Sequence, residues 1–297
     1  MKLTIHNAEE ISNMKLPFKI DLKDKVAVVT GAGGVLCSGF AEVIAECGAK
    51  VAVCDLRVDA ASVVADRINA AGGCAIPVEM NVLDRESVQK ARDLIAEKLG
   101  TCDILLNGAG GNNPKGTTTK EYLDPEDIDG KEDLVTFFDL DPKSVEFVFN
   151  LNFLGTLIPT QVFAKDMAKK KDTVILNVSS MNAFRPLTKI PAYSGAKAAV
   201  SNFTQWLAVH FSKVGIRVNA IAPGFFVTNQ NKNMLINPDG SLTPRSQKII
   251  SHTPMGRFGT TDDLTGTLLW LLDNNSSGFV NGVVVPVDGG FAAYSGV

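Results

Sequence analysis

Short runs of apolar and β-branched residues recur along this chain of 297 residues, and segments with the apolar spacing of helices separate them. The predicted strands cover residues 25–30, 50–54, 73–80, 103–107, 173–178, 216–221 and 283–287. The clearest predicted helices cover residues 60–71, 85–100, 157–170 and 264–272. Strands buried on both faces that alternate with helices form parallel sheets, because each helix returns the chain to the same edge. The alternation therefore predicts an α/β fold, a doubly wound parallel sheet with helices on both faces.

The alternation continues from residue 25 to residue 297 without an internal repeat or a low-complexity linker, which predicts a single domain over this range. A chain of this length can build one large α/β domain with a sizeable core. Residues 1–24 mix polar and apolar side chains without a clear pattern. We expect them to form an N-terminal extension or an oligomer arm.

The first predicted strand leads into a glycine-rich turn, and the second ends in an acid. Gly31, Gly33 and Gly34 precede a helical pattern, and Asp55 closes the next strand. This order is typical of dinucleotide binding, because glycines let backbone amides approach a pyrophosphate at the positive end of a helix. Asp55 would accept hydrogen bonds from the adenosine ribose and repel a 2′-phosphate, which favours NAD over NADP. Arg57 weakens this preference, since its guanidinium could pair with that phosphate.

Composition excludes several classes of partner. A net charge of −3 argues against a nucleic-acid or anionic-membrane surface. The N-terminus lacks the apolar core of a signal peptide, and the glycine-rich uncharged run at residues 26–41 is too short to span a bilayer. The 5 cysteines form no C-x-x-C pair, so we expect free thiols in the cytoplasm and no metal site.

Tyr193 and Lys197 lie four residues apart at the start of a segment with helical spacing. Residues four apart on a helix lie on one side, so the phenol and the ammonium emerge together. A nearby cation favours the phenolate, and we therefore expect a lowered pKa for Tyr193 and a role in proton transfer. Ser180, on the preceding segment, could bind the same substrate oxygen. The alternative is structural: Tyr193 is half-buried and Lys197 lies on a solvated face.

Two long stretches interrupt the alternation. Residues 112–143 are rich in acids and turn formers, and residues 228–247 contain several Asn, Pro and Gly residues. Both follow strand ends, at the carboxyl edge where α/β sheets bind ligands. We expect the first to be a surface insertion near the site and the second to be a lid, with a loop of no functional role as the alternative.

Several motifs taken together resemble the short-chain dehydrogenase/reductases. They are Ser180 with Tyr193-x-x-x-Lys197, Asn107-Gly-Ala-Gly110, Asn152 in NLNFLG, Pro223-Gly224 and Asp288-Gly-Gly290. Over residues 20–297 the resemblance implies a Rossmann fold with seven parallel strands, a nicotinamide cofactor and a homotetramer. It implies that Tyr193 is the catalytic acid-base, that Lys197 lowers its pKa and holds the nicotinamide ribose, that Ser180 orients the substrate and that Asn152 supports a proton relay.

The resemblance also implies a set of cofactor-binding residues. These are Gly31, Gly33, Gly34, Val35, Leu36, Asp55, Leu56, Asn81, Val82, Asn107, Gly108, Ala109, Tyr193, Lys197, Pro223, Gly224, Phe226 and Thr228. The turn departs from the family pattern, because Val35 and Cys37 stand where the last two glycines are usual. We expect these side chains to shift the backbone of the turn.

Within this family, stretches such as GAGGNNPKGTT, SSMNAFRPLTKIPAYS and APGFFVTNQN look most like the D-mannonate oxidoreductases, or fructuronate reductases. Such enzymes interconvert a sugar acid and its keto form, and a sugar acid requires cationic and amide groups for its carboxylate and hydroxyls. The substrate-binding candidates are Arg185, Asn182, Asn112 and Gln230, with Lys189 on the same loop as Arg185.

Two alternatives stay open. A gluconate 5-dehydrogenase, or another polyol or sugar dehydrogenase, shares much of the same pattern. A dinucleotide sensor without catalysis would use the same fold, although competent side chains at Asn152, Ser180, Tyr193 and Lys197 argue against it.

Overall fold

The computed structural model describes residues 20–228 and 232–296. Seven parallel strands form its sheet in the order β3-β2-β1-β4-β5-β6-β7. Their bounds are β1 Val26–Thr30, β2 Lys50–Asp55, β3 Cys74–Glu79, β4 Ile104–Asn107, β5 Thr173–Val178, β6 Ile216–Pro223 and β7 Val284–Val287. The predicted doubly wound parallel sheet is confirmed.

Helices cover both faces of the sheet. Those in the described ranges are α1 Val35–Glu46, α2 Val58–Ala70, α3 Arg85–Lys98, α4 Pro142–Phe149, α5 Gly155–Met167, α6 Pro191–His210, α7 Lys232–Leu235, α8 Pro244–Ser251, α9 Thr261–Leu272 and α10 Asn274–Ser277. Alternate residues of one strand enter opposite cores, because successive side chains point to opposite faces. In β1, Ala27 and Val29 join the core under α1, α2 and α9, whereas Val26 and Val28 join the core under α3, α5 and α6.

The strand order reverses between β1 and β4, so the chain leaves these neighbouring strands toward opposite faces. Their carboxyl ends therefore diverge and leave a crevice, the usual ligand position in doubly wound sheets. Thr30, the buried last residue of β1, fixes the two edges of the crevice to each other. Its hydroxyl accepts hydrogen bonds from the backbone amides of Gly108 at 3.0 Å and Ala109 at 3.1 Å.

The predicted strands are present with small shifts at their ends, but the sequence pattern missed helix α4. The helix predicted over residues 157–170 is part of a longer segment in which α4, a π-helical turn at Asn150–Leu154 and α5 follow without a break. Pro142 occupies the first turn of α4, and the Asp141 side chain accepts from the amides of Lys143 and Ser144. An aspartate cap followed by proline is a helix-start signal, and it was hidden at the end of the predicted insertion.

Within the described ranges, Pro142–Met167 is long and apolar enough to cross a membrane, but half of its apolar window is buried inside the molecule. Burial of this kind is typical of a core helix, and α5 indeed packs on the sheet through Val162 and Phe163.

The predicted N-terminal extension lies mostly outside the described residues, since residues 1–19 are not among them. Of the remainder, Leu22 is buried in the core and its amide donates to the carbonyl of Cys47 at 2.9 Å. The part of the extension that is described therefore packs on the domain beside α1.

Replacing Thr30 by Val should destabilise the protein by about 2 kcal/mol, because two amides at the crevice lose their acceptor while the side-chain shape is kept. Urea unfolding of the purified variant measures the loss. Thr30→Ser keeps the hydroxyl and should recover most of it. Equal stabilities for the Val and Ser variants would show that the hydroxyl does not hold the two edges together.

Candidate active site

A groove of about 500 Å³ runs along the carboxyl edge of the sheet, over the crevice between β1 and β4. Its walls come from the turns after β1, β2, β3 and β4, from the end of β5 and from α6. The lining residues are Gly31, Gly33, Gly34, Val35, Leu36, Cys37, Asp55, Leu56, Arg57, Met80, Asn81, Val82, Gly108, Ala109, Gly110, Gly111, Leu151, Val178, Tyr193, Lys197 and Thr228. Most residues that the sequence assigned to a cofactor thus face one elongated space.

The glycine turn fits a pyrophosphate. Gly31 has φ +67°, and a Cβ there would lie 2.9 Å from the Cα of Ala109, so the turn requires glycine on both conformational and steric grounds. Helix α1 begins at Val35, and no side chain caps its N-terminus. The amides of its first turn therefore remain available for an anion, which the positive end of the helix also favours.

The side chain of Cys37 is accommodated in the first turn of helix α1, and the expected shift of the glycine turn stays a prediction. Helix α1 is regular from Val35 onward, and Cys37 is buried beneath the groove. A Cβ at Gly108 would lie 2.2 Å from the sulfur of Cys37, so the thiol occupies space that Gly108 leaves open. Cys37 stands where the family pattern has a glycine, and the space for its larger side chain is left by Gly108 in the turn after β4. Burial raises the pKa of the Cys37 thiol to about 12, so the thiol is neutral.

Asp55 lies at the end of β2 with its carboxylate held by backbone amides. One oxygen accepts from the amide of Gly33 and the other from the amide of Arg57, each at 3.0 Å. These bonds orient the carboxylate against the glycine turn, in the position where a ribose would follow a pyrophosphate. Arg57 lines the groove beside it.

Tyr193 and Lys197 occupy the first two turns of α6, with Pro191 at its first position. The Lys197 ammonium lies 5.7 Å from the centre of the Tyr193 ring and donates to the carbonyl of Val178 at 2.8 Å. Lys197 is buried, and burial lowers its pKa to about 8. The ammonium is therefore still protonated at neutral pH, with its position fixed by the end of β5.

The pKa of Tyr193 differs from the sequence expectation. Burial raises the pKa of the phenol above its usual value, and the nearby Ser180 hydroxyl opposes this effect. The expected lowering of this pKa by Lys197 is wrong for the protein without cofactor, because the loss of solvent around the phenol dominates and Ser180, not Lys197, is the group that opposes it. The phenol is protonated at neutral pH and lies beside a hydroxyl and an ammonium.

Ser180 lies two residues beyond the end of β5 and caps the short turn Met181–Ala183, where its hydroxyl accepts from the amide of Asn182 at 3.2 Å. The preceding residue, Ser179, binds α6: its hydroxyl lies 2.6 Å from that of Ser201 and donates to the carbonyl of Lys197 at 3.2 Å. No local sequence pattern indicates this link, which fixes Ser180 relative to the helix that carries Tyr193.

Asn152 lies in the π-helical turn between α4 and α5 and is fully buried. Its amide nitrogen donates to the carbonyls of Gly111 and Val148, each at 2.8 Å. A Cβ at Gly110 would lie 2.6 Å from the Asn152 oxygen and 3.2 Å from the Lys197 nitrogen. The backbone after β4 therefore passes between these two side chains, and only glycine fits there.

Four residues assigned to the cofactor do not line the groove. Asn107 is buried below it and donates to Thr160 and Asn177. Pro223 ends β6, and Phe226 is buried in the core. A Cβ at Gly224 would lie 2.6 Å from Asp288, so Gly224 packs on the last loop. Their assignment to the cofactor stays a prediction.

The substrate candidates are dispersed. Asn182 is buried next to Ser180. Asn112 is exposed and donates to the Thr117 hydroxyl at 3.2 Å, and exposed Arg185 donates to the carbonyl of Ala292 at 3.0 Å. Gln230 lies outside the described residues. The structure therefore does not gather these residues around Tyr193.

A second space of about 410 Å³, here called the basic cleft, lies between the loop before α6, helix α8 and the insertion. Its lining consists of Glu121, residues 187–189, Phe225, Pro244, Arg245, Lys248, Ile249, His252 and Phe291. Arg245 and Lys248 were not among the substrate-binding residues predicted from the sequence. Thr243 caps α8 and Pro244 begins it, a start signal that would have placed these basic residues three apart on one helix face.

In residues 20–228 and 232–296, no group of three or more His, Cys, Asp or Glu side chains is arranged to hold a metal ion.

The doubly wound sheet, the groove at its switch point and the hydroxyl, phenol and ammonium beside it define a Rossmann-type dehydrogenase. The family model for short chain dehydrogenases matches residues 25–238. The chain belongs to this family, and it is an oxidoreductase that acts on CH–OH groups.

Two relatives match over almost their whole length. An uncharacterised oxidoreductase from Haemophilus influenzae is 58% identical over 96% of this chain and 99% of its own. The uncharacterised oxidoreductase UxuB from Bacillus subtilis is 50% identical over 95% of this chain and 100% of its own.

Among solved structures, that of a candidate D-mannonate oxidoreductase from Haemophilus influenza with bound NAD is 58% identical, with a TM-score of 0.90. The match covers 95% of the present chain and 100% of the chain in the solved structure.

Replacing Lys197 by Met should remove a pH dependence of stability. Burial lowers the pKa of Lys197 from 10.5 to about 8, so between these values the unfolded chain holds a proton that the folded chain has lost. The free energy of unfolding of the wild type should therefore rise relative to that of Lys197→Met as pH increases through this range, by at most about 3 kcal/mol. Urea titrations without cofactor, with exposed Lys213→Met as the control, measure the difference. A constant difference across the range contradicts the assignment.

Proposed function

We propose that this chain is an NAD-dependent oxidoreductase that interconverts a sugar acid and its keto form, with D-mannonate and D-fructuronate as the first candidates. The observation that carries the proposal is the position of Tyr193 and Lys197 at one end of a groove shaped for a dinucleotide, with Ser180 beside the phenol. When bound, the nicotinamide supplies or accepts the hydride at the carbinol carbon.

Tyr193 transfers the proton. Burial raises the pKa of its phenol, so at neutral pH Tyr193 holds the proton that a ketone oxygen needs during reduction. Ser180 donates a hydrogen bond to the same oxygen as charge develops on it. Lys197 is protonated and lies 5.7 Å from the ring centre, so it stabilises the phenolate left after transfer. Asn152, next to Lys197 across Gly110, supports the relay that returns a proton from solvent.

The preference for NAD follows from Asp55. Two amides hold its carboxylate in the groove wall, where it accepts from ribose hydroxyls and repels a 2′-phosphate. Arg57 is bound to Asp55 through its backbone amide and lines the groove, so NADP binds more weakly rather than not at all. The NAD-bound structure of the relative that is 58% identical supports this preference.

Support for a sugar acid comes from the same relative, a candidate D-mannonate oxidoreductase, and from the cationic side chains that line the basic cleft. A reductase for steroids or acyl chains would line these walls with apolar side chains. Gluconate 5-dehydrogenase activity is the second candidate, because a gluconate has the same carboxylate and hydroxyl chemistry. A sensor that binds the dinucleotide without catalysis is the candidate from another class.

The assembly proposed is a homotetramer in the cytoplasm. Exposed apolar side chains on α4 and α6 support an interface between copies. Phe147, Trp206 and Val209 are 45%, 55% and 77% exposed, although side chains of this kind are usually covered.

A screen of NADH oxidation over D-fructuronate, 5-keto-D-gluconate and other keto sugar acids tests the proposal, and a repeat with NADPH tests the cofactor. We expect the highest kcat/KM with D-fructuronate and NADH. A higher value with 5-keto-D-gluconate would favour the gluconate enzyme. Cofactor binding without oxidation of any substrate would leave the sensor as the remaining candidate.

Tyr193→Phe should lower kcat by at least about 10²-fold, because the proton donor is lost while the ring is kept. NADH binding, measured by fluorescence titration, should stay within a few-fold of the wild type. Gln205→Ala, at an exposed position of the same helix, serves as the control for helix α6. Wild-type turnover in Tyr193→Phe would refute the role assigned to the phenol.

A further inference from the structure

The basic cleft contains more positive than negative charge. Lys189, Arg245 and Lys248 line it, and Glu121 is the one carboxylate among its lining residues. Lys248 forms an ion pair with Glu121. Neither Lys189 nor Arg245 has an ion-pair partner in residues 20–228 and 232–296. Two cations therefore remain unbalanced at one place.

The three cations line one cleft, Lys189 from the loop before α6 and Arg245 and Lys248 from α8. Lys248 pairs with Glu121 in this cleft. The Lys248 ammonium lowers the pKa of the Glu121 carboxyl most, and the charges of Lys189 and Arg245 lower it further. A second carboxylate entering the cleft would meet the same three cations.

The backbone conformation at Lys189 is strained. Lys189 has φ +73°, a left-handed conformation that is uncommon for a residue with a side chain. The amide of Thr118, from the insertion, donates to its carbonyl at 2.9 Å. Strained backbone of this kind persists only where the surrounding structure imposes it, and it is concentrated at ligand sites.

The basic cleft and the catalytic residues are linked through two chain segments. Lys189 precedes Tyr193 by four residues, and Phe225 lies two residues beyond the end of β6. In a six-carbon acid, the carboxylate and a reacting carbon up to four bonds away are at most about 6 Å apart. A substrate with its reacting carbon at Tyr193 would therefore need its carboxylate directed toward the loop that carries Lys189.

We propose that Lys189, Arg245 and Lys248 bind the carboxylate of the substrate and so select sugar acids over neutral sugars. The inference rests on the function proposed above and names the part of the site that recognises the acid. Glu121 pairs with Lys248 and holds it in place. The positive charges of Lys189 and Arg245 remain available for one substrate carboxylate. Arg185, the anchor expected from the sequence, lines neither the groove nor the basic cleft and binds Ala292 instead.

The test compares D-fructuronate with D-fructose, its counterpart without the carboxylate, in Arg245→Gln and Lys189→Asn. Asparagine tolerates a left-handed backbone and removes the charge. Each variant should raise KM for D-fructuronate about tenfold or more, with kcat within about twofold, because a charge-assisted hydrogen bond is lost. The kcat/KM for D-fructose should not change. Lys213→Gln, an exposed lysine at the opposite edge of the sheet, is the matched control for net charge.

Calorimetry of D-gluconate binding to the NAD-loaded protein gives a readout that does not require turnover. Weaker binding in both cleft variants, with the control unchanged, supports the carboxylate site even if no keto acid is reduced, a result that would refute only the proposed function. Unchanged KM and unchanged binding in both variants overturn the inference. A raised KM in Arg185→Gln alone would overturn it in favour of the anchor expected from the sequence.

Discussion

A buried row of side-chain hydrogen bonds holds the site together beneath the groove. Asn107, at the end of β4, donates to Thr160 of α5 at 3.0 Å and to Asn177 of β5 at 2.9 Å. Asn177 in turn donates to Thr204 of α6 at 2.9 Å. Apolar packing allows helices to slide over a sheet at little cost, whereas directional bonds between buried groups do not, because an unpaired buried group costs about 1–3 kcal/mol. The row thus fixes two helices and two strands to one arrangement.

The position of the catalytic groups depends on this row. Ser180 lies three residues beyond Asn177, and Tyr193 and Lys197 lie on the helix that Thr204 anchors. Lys197 is the costly member of the group, since burial disfavours its charge and lowers its pKa to about 8. Its bond to the Val178 carbonyl offsets part of that cost. A rigid frame is therefore needed to hold a cation where solvent would otherwise be preferred.

The sequence predicts the sheet well because its signals are local. The β-branched run of β1, the glycines after it and Asp55 can each be recognised from a few residues of sequence. Their order predicts the groove. The contacts that finish the site are not local: Asn107 meets Thr160, and Thr30 meets Gly108, across more than fifty residues. The pKa of Tyr193 depends on burial, which no spacing encodes. The basic cleft joins Lys189, Arg245 and Glu121 from three distant segments, so only the folded chain brings them together.

The π-helical turn at Asn150–Leu154 sets the phase between two helices with different partners. Ahead of it, Val148 packs with Ala192 and Ala196 of α6; beyond it, Thr160 meets Asn107. Each residue advances an α-helix by about 100°, so deleting a single residue between Val148 and Thr160 would turn one contact away from its partner. The segment therefore tolerates changes of side chain more readily than changes of length. A shortened version would lose either the packing of α4 on α6 or the hydrogen bond between α5 and β4.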